Sequence, residues 1–236
     1  MMKIHCLASS SMGNCYLLDN GSSILMVECG LEFTKIRKGL TTENIDLMRV
    51  GGCLITHAHS DHCKGAKDLS RYVPIYASKQ TLERLETSNS VEIVDSKVNK
   101  LFDDWKVIPF TVEHDIDGAY GFIIKSNDHS ILFVNDTKYL EWDLSSYKFN
   151  TVMIECNYVD EMIDMNSFKS KRTINSHMAL STTVATLKAL DLSECTAIYL
   201  MHLSDGNSNE RLMIDTVKEA TGITTYACGK WGNVYE

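Results

Sequence analysis

Residues Thr56 to His62 read Thr-His-Ala-His-Ser-Asp-His, and His57, His59, Asp61 and His62 fall within six positions. The run Cys53-Leu54-Ile55 before them reads as the end of a buried strand. A strand that stops and delivers three imidazoles and a carboxylate into one loop has little reason to do so except to hold metal. Neutral imidazole and carboxylate are preferred ligands of zinc and similar borderline ions. His57 and His59 lie two apart, so in extended backbone they point the same way and can grip one ion. Asp61 and His62 follow once the chain turns, and can reach a second ion. A surface histidine-rich tract would need neither this order nor flanks that fit a strand and a helix.

The rest of the chain sets the frame for this loop. At 236 residues it can bury a large core, and a single domain over residues 1–236 is the expectation. Hydrophobic content of 44% and charged content of 23% are ordinary for a globular protein, and two prolines with no Gly/Ser-rich stretch give no linker. The start, Met1-Met2-Lys3-Ile4-His5, enters an apolar strand at once and lacks the pattern of a secretory signal. No window is long enough for a membrane span, so a cytoplasmic protein without a membrane partner is expected. Eight scattered cysteines with no C-x-x-C pair read as small buried hydrophobes in a reducing compartment, with Cys63 set apart by its place beside the metal loop. The formal net charge of −8 argues against a wide nucleic-acid groove. The densest basic cluster is Lys169-Ser170-Lys171-Arg172, shortly before His177.

Periodicity predicts strands at residues 4–8, 15–18, 23–27, 52–55, 73–76, 91–94, 105–112, 120–126, 130–135, 151–156, 196–203 and 223–228. It predicts helices at 31–40, 66–72, 79–86, 180–190 and 209–221. Asn127-Asp128-His129 reads as a hairpin turn. Strands in clusters with helices between them license an α/β or α+β fold.

Further blocks occur in a definite order: Ser9 to Cys15, Glu113-His114-Asp115, Asn135-Asp136-Thr137, Glu155-Cys156-Asn157, Ser176-His177-Met178 and His202-Leu203-Ser204. With the H-x-H-x-D-H loop they resemble the metallo-β-lactamase superfamily over nearly the whole chain. The last block, running on to Ser208, resembles the small WalJ-type branch related to DNA exonucleases and, more distantly, to ribonuclease Z. The resemblance implies a four-layer αββα sandwich and two divalent metal ions, zinc first and manganese second. His57, His59 and His114 would bind one ion, Asp61, His62 and His202 the other, and Asp136 would bridge them. A water shared by the ions would be the nucleophile, with Asp61 orienting it and His177 protonating the leaving group. The implied activity is hydrolysis of nucleotide or single-stranded nucleic-acid phosphodiesters, as in a DNA exonuclease. Cleavage of small cyclic nucleotides stays open, as does thioester or lactone hydrolysis on the same fold, and a homodimer is compatible with the sequence. His5 and His129 are assigned no role. The chain departs from the family pattern at Glu28, where aspartate is frequent, and carries no inserted capping domain or exosite arm.

Overall fold

The computed structural model describes residues 2–164, 167–229 and 233–235. Strands β1 (Lys3–Ser10), β2 (Gly13–Asp19) and β3 (Ile24–Val27) are followed by helix α1 (Phe33–Thr42) and β4 (Val50–Leu54). Then come short helices α2 (Ser60–Cys63) and α3 (Ala66–Leu69), β5 (Ile75–Ala77), α4 (Lys79–Leu82) and β6 (Ser90–Glu92). The second half has β7 (Asn99–Lys100), β8 (Lys106–Thr111), β9 (Tyr120–Ser126), β10 (His129–Val134) and β11 (Thr151–Glu155). It continues through α5 (Phe168–Ser176), α6 (Leu180–Ala189), β12 (Ala197–Met201), α7 (Glu210–Thr221), β13 (Thr224–Ala227) and β14 (Asn233–Tyr235).

These strands form two sheets, ordered β14-β1-β2-β3-β4-β5-β6 and β13-β12-β11-β10-β9-β8-β7. In each, an antiparallel trio (β1 to β3, β8 to β10) is extended by three strands parallel to its last member. This repeated plan was invisible in the sequence, because it resides in strand order and not in similar residues. Parallel neighbours need crossovers, and the helices supply cover. Side-chain alternation then builds three large buried clusters among the described residues. Tyr16, Leu18, Leu25 and Val27 face Phe122, Ile124, Phe133 and Met153 between the sheets. Leu17, Met26, Cys53 and Ile75 on the opposite face meet Ile36 and Leu40 of α1 and Leu69 of α3. Leu132, Val152, Ile154 and Ile198 meet Leu187 of α6 and Met213 and Val217 of α7. Sheets covered on both faces explain the near-continuous apolar runs in β2, β3 and β11. The layer order is helix, sheet, sheet, helix, as expected.

Several boundaries differ from the sequence reading. α3 and α4 stop at Leu69 and Leu82, short of Tyr72 and Glu86, although Leu82 and Leu85 both pack on the α1-side core. β5 is displaced to Ile75–Ala77, and β6 starts at Ser90. Helix α5 and strands β7 and β14 were not anticipated. The hairpin turn between β9 and β10 is present, with Asn127 in the left-handed region at φ 50°. Among the described residues, no helix is long and apolar enough to cross a membrane.

Candidate metal centre

The candidate residues gather where strands end. β4 runs out into Thr56, His57 and His59, and the turn of α2 then presents Asp61 and His62. His114 follows β8, Asp136 follows β10, Glu155 closes β11 and His202 follows β12. The carboxyl ends of strands in open α/β sheets leave a crevice for ligands.

Three junction residues turn left-handed: Glu28 (φ 63°), Asp136 (φ 51°) and His202 (φ 56°). For non-glycine residues this conformation costs about 1–3 kcal/mol and must be held by its surroundings. The Glu28 carboxylate accepts the Thr56 N–H at 3.3 and 3.4 Å. Ser9 Oγ accepts the His202 N–H at 2.8 Å, and Asn157 Nδ2 donates to the His202 carbonyl at 2.7 Å. The Ser9 and Glu155-Cys156-Asn157 blocks thus fix His202 from both sheets. Gly30 closes the metal loop from the other side. A Cβ there would overlap the Asp61 carbonyl, so only glycine lets this segment run against α2. Beside it, the Cys29 N–H donates to the His62 carbonyl at 2.9 Å, and Asn14 Nδ2 donates to the Asp61 carbonyl at 3.3 Å.

His57 Nε2 and His114 Nε2 lie 3.0 and 3.2 Å from His59 Nδ1. Tetrahedral Zn–N bonds would place neighbouring ligand atoms about 3.3 Å apart, so this is ligand spacing. The other nitrogen of His57 sits 2.9 Å from Thr56 Oγ1, which fixes the ring.

Asp136 is the hub. Its Oδ2 is 2.8 Å from His62 Nε2 and 3.8 Å from His57 Nε2, while Oδ1 is 2.6 Å from His202 Nδ1 and 3.9 Å from His177 Nδ1. One carboxylate therefore stands among imidazoles expected at both ions, His57 of one set and His62 and His202 of the other. Oδ1 is buried and has no aligned hydrogen bond despite the short approach of His202. Buried polar atoms are nearly always bonded, so this convergence suits atoms aimed at a shared cation. The donor set of imidazoles and carboxylates fits zinc-like ions.

Electrostatics follow from the contacts. Burial opposes charge on Asp136, but the His202 and His62 rings overcome it and hold the carboxyl well below its usual range. Burial also opposes charge on His202, and Asp136 and Glu155 outweigh it, pushing the ring up to about 10. His57 goes the other way: burial and neighbouring His62 hold it well below its ordinary value, leaving the neutral imidazole that a metal needs.

Two carboxylates matter more than the sequence reading allowed. Glu28 reaches to 3.3 Å between its Oε1 and His62 Nδ1, so the longer side chain still backs that ring. Glu155, fully buried, sets Oε1 2.7 Å from His177 Nδ1 and 3.3 Å from His202 Nδ1. Its Oε2 accepts the N–H groups of Thr137 and Met178 at 3.0 and 3.3 Å. Burial opposes charge on His177, but Glu155 outweighs it and the ring's pKa is raised. The available signal was an acid ending the otherwise apolar strand Thr-Val-Met-Ile-Glu.

The converging atoms fall into three groups: His57–His59–His114, His57–His62–Asp136 and Asp136–Glu155–His177–His202. Asp61 stands outside them, with Oδ2 3.4 Å from His62 Nε2. His177 thus falls in one group with Asp136 and His202, both expected ligands. His5 pairs with Glu43 and His129 with Thr151, away from the site. All eight cysteines are free. Burial pushes the Cys63 thiol up to about 12.

A family profile described as a beta-lactamase superfamily domain matches residues 25–203, a span that includes every member of the three groups. Exodeoxyribonuclease YycJ of Bacillus anthracis is 29% identical over 235 residues, covering 92% of this chain and 89% of that protein. Exodeoxyribonuclease WalJ of Streptococcus pneumoniae is 29% identical over 228 residues, covering 89% and 84%. The metallo-beta-lactamase fold protein YhfI from Bacillus subtilis matches over the whole of both chains with a TM-score of 0.78 at 15% identity, a likeness of fold. Matched from β3 to His202, with its imidazoles and carboxylates gathered at strand ends, the chain belongs to the β-lactamase superfamily and is a metal-dependent hydrolase.

Proposed function

We propose that this hydrolase is a dinuclear phosphodiesterase acting on nucleic-acid strands, with single-stranded DNA as its first substrate class. The observation that carries the reading is the Asp136 carboxylate, which lies 3.8 Å from His57 of one proposed ligand set and 2.8 and 2.6 Å from His62 and His202 of the other, with His177 held on Glu155 beside His202. His57, His59 and His114 would hold one ion, and Asp61, His62 and His202 the other, with Asp136 shared. Zinc is the first choice of ion and manganese the second. When bound, the ions supply a Lewis acid for the phosphate oxygens and an acidified water as nucleophile.

The chain's own residues do the rest. Thr56 and Glu28 hold the His57 and His62 rings from behind, which fixes their ligating nitrogens. The Asp61 side chain is 22% exposed and orients the attacking water. His177 gives Nδ1 to Glu155, which leaves Nε2 for the substrate. The alkoxide leaving group of a phosphodiester is a strong base, and Nε2–H delivers the proton it needs. The thiolate of a thioester leaves unaided and would make less use of that donor. The two relatives called exodeoxyribonucleases support DNA as substrate. The free cysteines support a reducing, cytoplasmic setting.

The test is a panel of single-stranded DNA, RNA, cyclic nucleotides and a thioester, assayed with Zn²⁺ and Mn²⁺. Metal-dependent shortening of DNA strands supports the reading. Turnover confined to cyclic nucleotides or to the thioester overturns it.

A further inference from the structure

Helix α5 leads directly into His177, whose N–H donates to the Thr173 carbonyl at 2.9 Å. One turn before His177, Arg172 points its Nη2 to within 3.4 Å of Asp115 Oδ2. The other oxygen of Asp115 lies 3.3 Å from His114 Nε2 and 3.5 Å from His59 Nε2. The guanidinium is therefore one carboxylate removed from the imidazoles of the metal centre. It is also 73% exposed, so it is free to move.

Charge distribution singles out the same place. The chain is net acidic, yet no acidic residue occurs between Asp164 and Asp191. That stretch holds Lys169, Lys171, Arg172 and Lys188. Among the described residues, Asp115 is the one carboxylate that forms an ion pair with Arg172. An ion pair this exposed is weak. A phosphate can take two N–H groups of the guanidinium fork at once and is the stronger partner.

We propose that Arg172 binds the phosphate next to the scissile one, exchanging Asp115 for it when a strand enters. This rests on the phosphodiesterase reading and sharpens it. A strand offers a neighbouring phosphate and a cyclic mononucleotide does not, so Arg172 favours chains over small nucleotides.

The experiment measures kcat/KM for a single-stranded oligonucleotide across a range of NaCl concentrations. It compares wild type, Arg172→Ala, Arg172→Lys and Lys218→Ala, the last an exposed cation in the final turn of α7. Each phosphate neutralised on a single strand contributes about 0.7 to the slope of log affinity against log salt. Arg172→Ala should make the slope shallower by about that amount. It should also lower kcat/KM at low salt by about tenfold, mainly through KM, as fits loss of a charged hydrogen bond. Arg172→Lys should keep the slope, and Lys218→Ala should follow wild type. A slope shared by wild type and Arg172→Ala overturns the inference alone. A wild-type enzyme that leaves oligonucleotides intact while cleaving cyclic nucleotides overturns the phosphodiester-strand reading, and this inference with it.

Discussion

Replacing His177 with alanine separates a proton donor from a metal ligand. The substitution removes the imidazole whose Nδ1 lies 2.7 Å from Glu155 Oε1 and whose Nε2 would serve the substrate. General acid catalysis contributes ~10²–10⁴-fold, which is about 3–5 kcal/mol of transition-state stabilisation. That loss should appear on a dinucleotide or oligonucleotide, where the leaving group is an alkoxide. On bis-p-nitrophenyl phosphate the leaving group departs without help, and the loss should be within about tenfold. The fold should survive, because Glu155 keeps its two backbone N–H bonds and its approach to His202. The pH profile adds a second reading. A donor must be protonated, so the rate falls as pH rises through its pKa. Glu155 raises that pKa, so natural-substrate turnover should persist above the ordinary histidine value of about 6.5. Glu155→Gln should move the fall to lower pH. The assay is kcat on both substrates with metal content of the same samples. Equal losses on both with metal retained would refute the donor role. Loss of one ion would show that His177 ligates within the Asp136–Glu155–His177–His202 group.

Three further outcomes follow from the geometry. Asp136→Ala removes the shared carboxylate, so one ion should be lost and turnover should collapse by more than about 10³-fold, as read by metal analysis and kcat. Glu28→Gln weakens the backing of His62 and should reduce affinity for the second ion by about 10–100-fold in a chelator competition. Metal uptake should release protons near neutrality: folded His202 is pushed up to about 10, so it holds a proton that the ion must displace. Its pairing with Asp136 stabilises the metal-free chain fully below about pH 6.5 and is lost as pH rises through about 10. Affinity for metal should therefore climb with pH over that window, and calorimetry in two buffers of different ionisation heat would count the protons.

Much of this candidate site was legible because its imidazoles and carboxylates sit at the ends of apolar strands, where side-chain periodicity stops abruptly. His57, His59 and His62 fall within six positions, and His114, Asp136 and His202 each follow such a run. The parts that escaped are those that depend on three-dimensional return. Glu155 closes β11 like any strand residue until Thr137, His177, Met178 and His202 fold back onto it. Glu28, just after β3, gains its partner His62 from α2, which follows β4. Helix α5 was missed because Phe168 and Ile174 are its only large apolar residues, too few for a helical period. β14 pairs with β1 from the opposite end of the chain, which no local window can register. Asp61 is placed with the second ion on motif order, and its Oδ2 lies 3.4 Å from His62 Nε2.

The proposed function requires two ions in one centre with Asp136 between them. The most direct measurement is a titration of metal-free protein with Zn²⁺ or Mn²⁺, followed by mass spectrometry under native conditions and metal analysis, on wild type and Asp136→Ala. The account predicts two ions per chain for wild type and one for the variant. A wild-type protein that saturates at one ion, or a variant that still holds two, would contradict it.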